Sequence, residues 1–340
     1  MFAPLRNHSH YSLLLSTSRP NQIAKKCADA GHEYVGLTDL GTVSGCVNFI
    51  KACKNNNLKP IIGSEISLKD GGTITLICKN NSAWRELLVL TSLSNDPENY
   101  NKQPRVSFSD LTNTINPDNF IVIDGYVGSY LFHSIFENTN AAIYYTDEDS
   151  VKEVLKDDWK AISQKHFFQL QSIFKSYYLE ANLEEFDTMP VIGVMSDCLK
   201  EIDPHGGVTI PDSSSYYCDS YDSIDHRVLL CAKLKTTLKK LDLKISESES
   251  FDLVKFTRSS KFHIKSNQDS SVYGETHLNN MQELVEQCED LTILSNPRLP
   301  KFDCPDGLEE NDYLKQLCRD GWAKLFSGKL DEEQIEIYKN

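Results

Sequence analysis

Up to about Met195, short apolar runs rich in β-branched side chains alternate with segments of helical period, the pattern of βα units around a mainly parallel sheet. The runs FAPL (Phe2 to Leu5), YVGLTD (Tyr34 to Asp39), PIIGSEI (Pro60 to Ile66), TITLIC (Thr73 to Cys78), FIVID (Phe120 to Asp124), AAIYY (Ala141 to Tyr145), FFQLQ (Phe167 to Gln171) and PVIGVM (Pro190 to Met195) read as strands. Between the second and third, Cys46, Phe49, Ile50 and Cys53 fall at i, i+3, i+4 and i+7, one face of a helix. Ser18 is placed to cap an earlier helix that Gly31 ends. A barrel closes such a series without leaving an edge strand, so the pattern predicts a distorted α/β barrel.

After Asp197 the texture changes. Two polar stretches, Pro211 to Ser223 and Ile245 to Asp252, read as loops around a helix from Ser223 to Leu241. A further helix, His277 to Asp290, carries Leu278, Met281, Leu284, Val285 and Cys288 on one side. Pro297, Pro300 and Pro305 make Asn296 to Gly307 an extended connector. Beyond it Leu314, Leu317, Cys318, Trp322 and Leu325 form another apolar stripe, and a short helix starts at Asp331. The expected division is a barrel domain over 1–275 and a helical extension over 276–340.

Charge and cysteines narrow the partners. With 35 basic against 49 acidic residues in 340, the net charge of −14 has the wrong sign for a surface that grips phosphate backbones. Lys233, Lys235, Lys239 and Lys240 read as a solvated helix face, so contact with DNA is expected only indirectly. Ten scattered cysteines include no C-x-x-C pair, which gives no support to a zinc knuckle and fits a reduced, cytoplasmic setting. Arg6, His8 and His10 stand where a signal peptide would need its apolar core, and there is no apolar run of membrane-spanning length. The sequence therefore predicts a protein neither secreted nor embedded in a membrane.

In a parallel barrel, reactive side chains stand at the C-terminal ends of strands. That rule selects His8, Asp39, Glu65 and Asp197. One imidazole and three carboxylates at a barrel mouth suit a divalent cation. Equally, each carboxylate can cap a helix or accept loop N–H groups, and the residues alone leave both readings open.

The runs LRNHSHYSLLL (Leu5 to Leu15), LTDLGTVSGCVNFIKACKNNNLKPIIGSEI (Leu37 to Ile66), FHIKS (Phe262 to Ser266) and RLPKFDCPDG (Arg298 to Gly307) together resemble the N-terminal PHP (polymerase and histidinol phosphatase) domain of bacterial DNA polymerase III alpha subunits. The resemblance implies an α/β fold, a distorted seven-stranded barrel of the PHP type with a C-terminal helical extension. Active members carry a metal cluster at the barrel mouth that supports phosphoester hydrolysis.

Carried over residue by residue, the resemblance implies a depleted site. The family's H-x-H pair falls on Arg6 and His8, its T-D-H on Asp39 and Leu40, and its strand-end glutamate on Glu65. Further ligands fall on Thr73, Tyr126 and Gln169, and the final N-D-x-H element falls on Asp197 and Leu199. His226 matches a family histidine read as structural, while His10 offers an alternative partner for His8 in a repaired site. Arg6 would sit where an ion's histidine ligand belongs and is expected to pair with Glu65 or Asp197, replacing the metal's charge without its Lewis acidity.

The resemblance thus implies no catalytic residues and no cofactor, or at most one weakly held divalent cation (Mg, Mn or Zn) on His8, Asp39, Glu65 and Asp197. The expected role is the PHP module of a replicative polymerase, acting as scaffold and docking surface. Its partners would be the remaining palm, fingers and thumb, in the same or another chain, and a proofreading exonuclease subunit. The alternatives are a stand-alone metal-dependent phosphoesterase or 3'-5' exonuclease with a reduced site, or a bare barrel that acts as a decoy.

Overall fold

The computed structural model describes residues 1–184, 188–241, 256, 259–294, 302–326, 328, 331, 334 and 337. Met1–Ile293 form one compact unit and Leu294–Asn340 a second. In the first unit the strands are β1 (Tyr34–Leu37), β2 (Lys59–Ser67), β3 (Thr73–Cys78), β4 (Tyr100–Asn101), β5 (Gln103–Pro104), β6 (Phe120–Asp124), β7 (Tyr177–Ala181) and β8 (Thr209–Pro211). Six of them build one sheet in the order β1-β2-β3-β6-β7-β8, while β4 and β5 pair as a separate hairpin. The pairs β1/β2, β6/β7 and β7/β8 are parallel, and β3 runs antiparallel to both its neighbours.

Phe2–Leu5 lie outside the regular strands, yet the chain there is hydrogen-bonded on both sides. The Pro4 and Asn7 carbonyls accept from Gly36 and Thr38 of the β1 side, while His8 N–H donates to Ser215 and Ser215 N–H to Arg6, just beyond β8. Gly36 permits the approach, because a Cβ there would stand 2.0 Å from the Leu5 carbonyl oxygen.

The helices are α1 (Pro20–Asp29), α2 (Cys46–Asn55), α3 (Asn81–Ser94), α4 (Phe108–Thr114), α5 (Tyr130–Ile135), α6 (Thr139–Tyr144), α7 (Glu148–Glu153), α8 (Trp159–Ile173), α9 (Pro190–Ile202), α10 (Ser223–Lys233) and α11 (Glu275–Glu286). Strand alternation sorts the core. Ile66, Leu76, Cys78, Phe120, Val122, Tyr177 and Leu179 point to the outer face and pack with α3, α5, α8 and α9. Ile61, Ile77, Ile121, Ile123, Tyr178 and Ile210 point inward and meet Phe2, Ala3 and Leu5 together with Met281, Leu284 and Val285 of α11. Helix α11, expected in the extension beyond residue 275, therefore closes one end of the sheet's inner face. Glu65, Thr73, Thr75 and Glu180 share that inward parity toward the other end.

Three expected strands are helices. Ala141 to Tyr145 falls on α6, whose N-terminus Asn138 caps by accepting the Ala141 N–H. Phe167 to Gln171 belongs to α8, which buries Ser163, His166, Phe167 and Leu170 at helical spacing and leaves Phe168 exposed. Pro190 to Met195 opens α9, with Pro190 in the first turn. Nearly every face of α9 is buried, and such a helix shows the same unbroken apolar run as a buried strand. The real seventh and eighth strands, YYLEA and TIP, were not anticipated.

Other differences are local. Arg19, not Ser18, is the N-cap of α1, and Gly31 follows that helix at φ +78°. The helix expected from Ser223 to Leu241 ends at Lys233, where Lys235 takes a left-handed φ of +51°. The loop expected over 245–252 lies outside the described residues, as do 295–301 of the connector and most of the helix expected from Asp331. In the second unit α12 (Glu310–Phe326) carries Leu314, Leu317, Trp322 and Leu325 exposed. No helix among the described residues is long and apolar enough to cross a membrane.

Candidate functional site

The inward-pointing polar residues meet around one buried guanidinium. Arg6 is 2% exposed and uses all three nitrogens. Its Nη2 pairs with Glu65 Oε2 at 3.1 Å, its Nη1 pairs with Glu180 Oε2, and its Nε donates to Thr75 Oγ1 at 3.1 Å. The guanidinium lies over the Tyr126 ring, with Cζ 3.4 Å from the centroid. Burial works against the charge, but Glu180, Tyr126 and Glu65 outweigh it and hold the Arg6 pKa well above its ordinary value.

Glu65 is shared. His8 Nε2 lies 2.9 Å from Glu65 Oε2, Thr73 donates to Oε1 at 2.7 Å, and the His8 ring stacks on Tyr216 with centroids 4.3 Å apart. Tyr126 OH lies 3.0 Å from Thr73 Oγ1. Glu180 Oε1 accepts the Ser213 N–H and hydroxyl at 2.7 and 2.8 Å. Burial and the nearby Asp212 raise the Glu180 pKa against the downward pull of Arg6.

A second buried cation stands beside the first. Lys265 Nζ pairs with Asp212 Oδ2 at 2.8 Å and reaches Glu184 at 3.5 Å. Burial raises the Asp212 pKa, and the Lys265 charge with the Lys265 and Ser214 hydrogen bonds more than reverses that, leaving it lowered. Beside Arg6 lies a cavity of about 40 Å³, lined by Arg6, Tyr126, Glu180, Asp212, Ser214 and Tyr216 among others. That is room for about three waters and too little for a sugar phosphate.

The other expected positions divide. Asp39 is buried but turned away, accepting Ser9 N–H, Ser9 Oγ and Ser12 Oγ at 2.6, 2.7 and 2.6 Å. It thereby organises the loop after the N-terminal segment. Leu40 is half-buried against the Leu15 and Tyr216 cluster. His10 is exposed beside Tyr11, remote from His8's carboxylate partner. His226 is buried, its Nε2 2.7 Å from the Leu15 carbonyl, and burial lowers its pKa to about 4.

Three expectations are corrected outright. Asp197 stands on α9 facing solvent, 66% exposed, paired with Lys200 at 3.2 Å. Leu199 belongs to the outer-face core, and Gln169 is exposed on α8. Once Pro190 to Met195 and Phe167 to Gln171 are helical, no strand end delivers these residues to the mouth. The buried carboxylates found beside Arg6 and Lys265 are instead Glu180, near the end of the unforeseen β7, and Asp212, just past β8. The alternation Tyr178, Glu180 within YYLEA was the available signal. Lys265 lay within FHIKS without an assigned role.

Chemically the cluster is a closed set of charge-assisted hydrogen bonds, in which a guanidinium supplies charge and orientation but no water-activating Lewis acid. Among the described residues, no group of three or more His, Cys, Asp or Glu is arranged to hold a metal ion.

The PHP domain family matches residues 4–182. Over 350 aligned positions, covering 98% of this chain and 27% of the relative, the sequence is 25% identical to the DNA polymerase III subunit alpha of Bacillus subtilis (strain 168). A 92-residue stretch, 27% of this chain and 9% of the relative, is 39% identical to the DNA polymerase III subunit alpha of Ureaplasma parvum serovar 3. The chain spans about a quarter of the length of the curated relatives it matches over nearly its whole extent. The solved structure of an amidohydrolase from Chromobacterium violaceum, with bound sulfate and no metal, aligns with TM-score 0.40 and 11% identity, covering 63% of this chain and 87% of that one.

Proposed function

The chain belongs to the PHP family, and from that premise we propose that it is the PHP module of a DNA polymerase III alpha-like polymerase, with a buried ion network in place of a metal cluster and a role as scaffold and docking surface. The observation that carries this reading is Arg6, a buried cation bonded to both Glu65 and Glu180. The backbone hydrogen bonds of the N-terminal segment to Gly36, Thr38 and Ser215 support reading it as a seventh strand of a distorted barrel.

The residues at the mouth do not fit a multi-metal centre. Two ions about 3.5–4 Å apart need several free ligands each. Glu65 and Glu180 are taken by Arg6, Asp212 by Lys265, and Asp39 by Ser9 and Ser12. The same occupancy counts against a stand-alone phosphoesterase or exonuclease. Polymerisation would then reside in the remaining palm, fingers and thumb, and this module would contact DNA only through them, with an exonuclease subunit as a further partner.

The deciding experiment is elemental mass spectrometry of the protein loaded with manganese or zinc and dialysed. Fewer than one retained ion per chain is expected. Two or more tightly held ions would overturn the reading and make hydrolysis the activity to assay.

A further inference from the structure

Helix α10 buries His226, Leu230 and Cys231 and turns a second apolar face outward. Ile224 and Val228 on that face are 67% and 50% exposed, and Tyr221, on the single 3-10 turn Ser220–Asp222 that leads into the helix, is 74% exposed. Tyr221 is held in place, its hydroxyl donating to Asp219 at 3.2 Å. Tyr221 also lines a groove of about 390 Å³ between α1 and the start of α10, whose walls include Lys25, Lys26, Asp29, Asp219, Asp222 and Asp225. Lys25 pairs with Asp29 and Lys26 with Asp219, so the charge left on the wall is that of Asp222 and Asp225. Half-buried Arg227 is the basic residue of α10 next to the stripe.

An aromatic and two aliphatic side chains with an acidic border match a partner of the inverse pattern. Nucleic acid and anionic lipid are disfavoured by the same carboxylates and by the chain's net charge of −14. We propose that this face docks a basic amphipathic segment of another protein, one that sets aliphatic side chains on the Tyr221–Ile224–Val228 stripe and lysines or arginines against Asp222 and Asp225. The assignment is independent of what the barrel mouth does.

The test uses the full chain and a labelled helical peptide built of Leu and Lys, against two controls with Leu replaced by Ser and Lys replaced by Glu. Only the Leu/Lys peptide should bind, with amide-exchange protection centred on residues 221–228 and affinity that falls with salt. The double variant Ile224→Asp, Val228→Asp should weaken binding about tenfold or more. Asp222→Lys with Asp225→Lys should weaken it and reduce its salt dependence. All four side chains lie outside the core, and circular dichroism checks that the variants keep the fold. Absence of binding, equal binding by both variants, or protection elsewhere would overturn the proposal. So would concentration-dependent self-association abolished by Ile224→Asp, which would give the face to a second copy of this chain.

Discussion

Asp212 and Asp197 are both carboxylates beside a lysine, and they could hardly differ more in consequence. Asp212 is buried just past β8, 2.8 Å from a Lys265 that is 3% exposed, with Ser214 and Asn182 donating to it as well. Asp197 faces solvent on α9 opposite a Lys200 that is 71% exposed. Removing a partner from the first pair leaves an uncompensated buried charge, whereas removing one from the second leaves a hydrated ion. The same pair of residue types is structural at one depth and incidental at another.

The sharpest way to break this comparison is Arg6→Met. It strands Glu65 and Glu180 together in the interior and should cost about 3–5 kcal/mol in denaturant unfolding. Arg6→Lys, which keeps the charge but not the fork, should recover part of that loss. A midpoint unchanged in both variants would show that the network is not what holds the mouth. Lys265→Met should cost about 3 kcal/mol by the same argument.

His226 sharpens the contrast from the uncharged side. Its native pKa of about 4 lies below the ordinary 6.5, so below pH 6.5 the unfolded chain takes up a proton that the native one refuses. Its contribution is intact above pH 6.5 and is lost progressively down to pH 4, about 3 kcal/mol in all. Stability measured across that window should fall, and His226→Phe should flatten the slope. Asp39→Asn should cost about 1–3 kcal/mol and raise amide exchange in residues 9–16, since one of three donors loses its acceptor. At the bottom of the scale, Lys200→Met should stay within about 0.5 kcal/mol.

The inner strands were legible in the sequence because the short β-branched apolar runs TITLIC and FIVID match strands buried on both faces. Helix α9 was not, because its apolar opening run is buried on nearly every side and carries no period that distinguishes it from a strand, and in α8 the run FFQLQ is too short to show the helical spacing of Ser163, His166, Phe167 and Leu170. That one ambiguity propagated into the site. Arg6's bond to Glu65 followed from charge chemistry, while Asp197, the alternative partner expected, takes no part and Glu180 was not foreseen. Asp212 escaped notice because β8 is only three residues long. Lys265 escaped because a lysine within FHIKS gives no sequence sign that it is buried.

The closure of the inner face by α11 also fixes when the fold can form. Ala3 N–H donates to the Met281 sulfur, 278 residues away, and Phe2 packs in the same cluster as Leu284 and Val285. At translation rates of about 5–20 residues per second, the first residues wait tens of seconds for the helix that covers them. Until then Phe2, Ala3 and Leu5 have only part of their core. The nascent chain is committed to a slow, non-local closing step, and its strands stay open to mispairing throughout the delay.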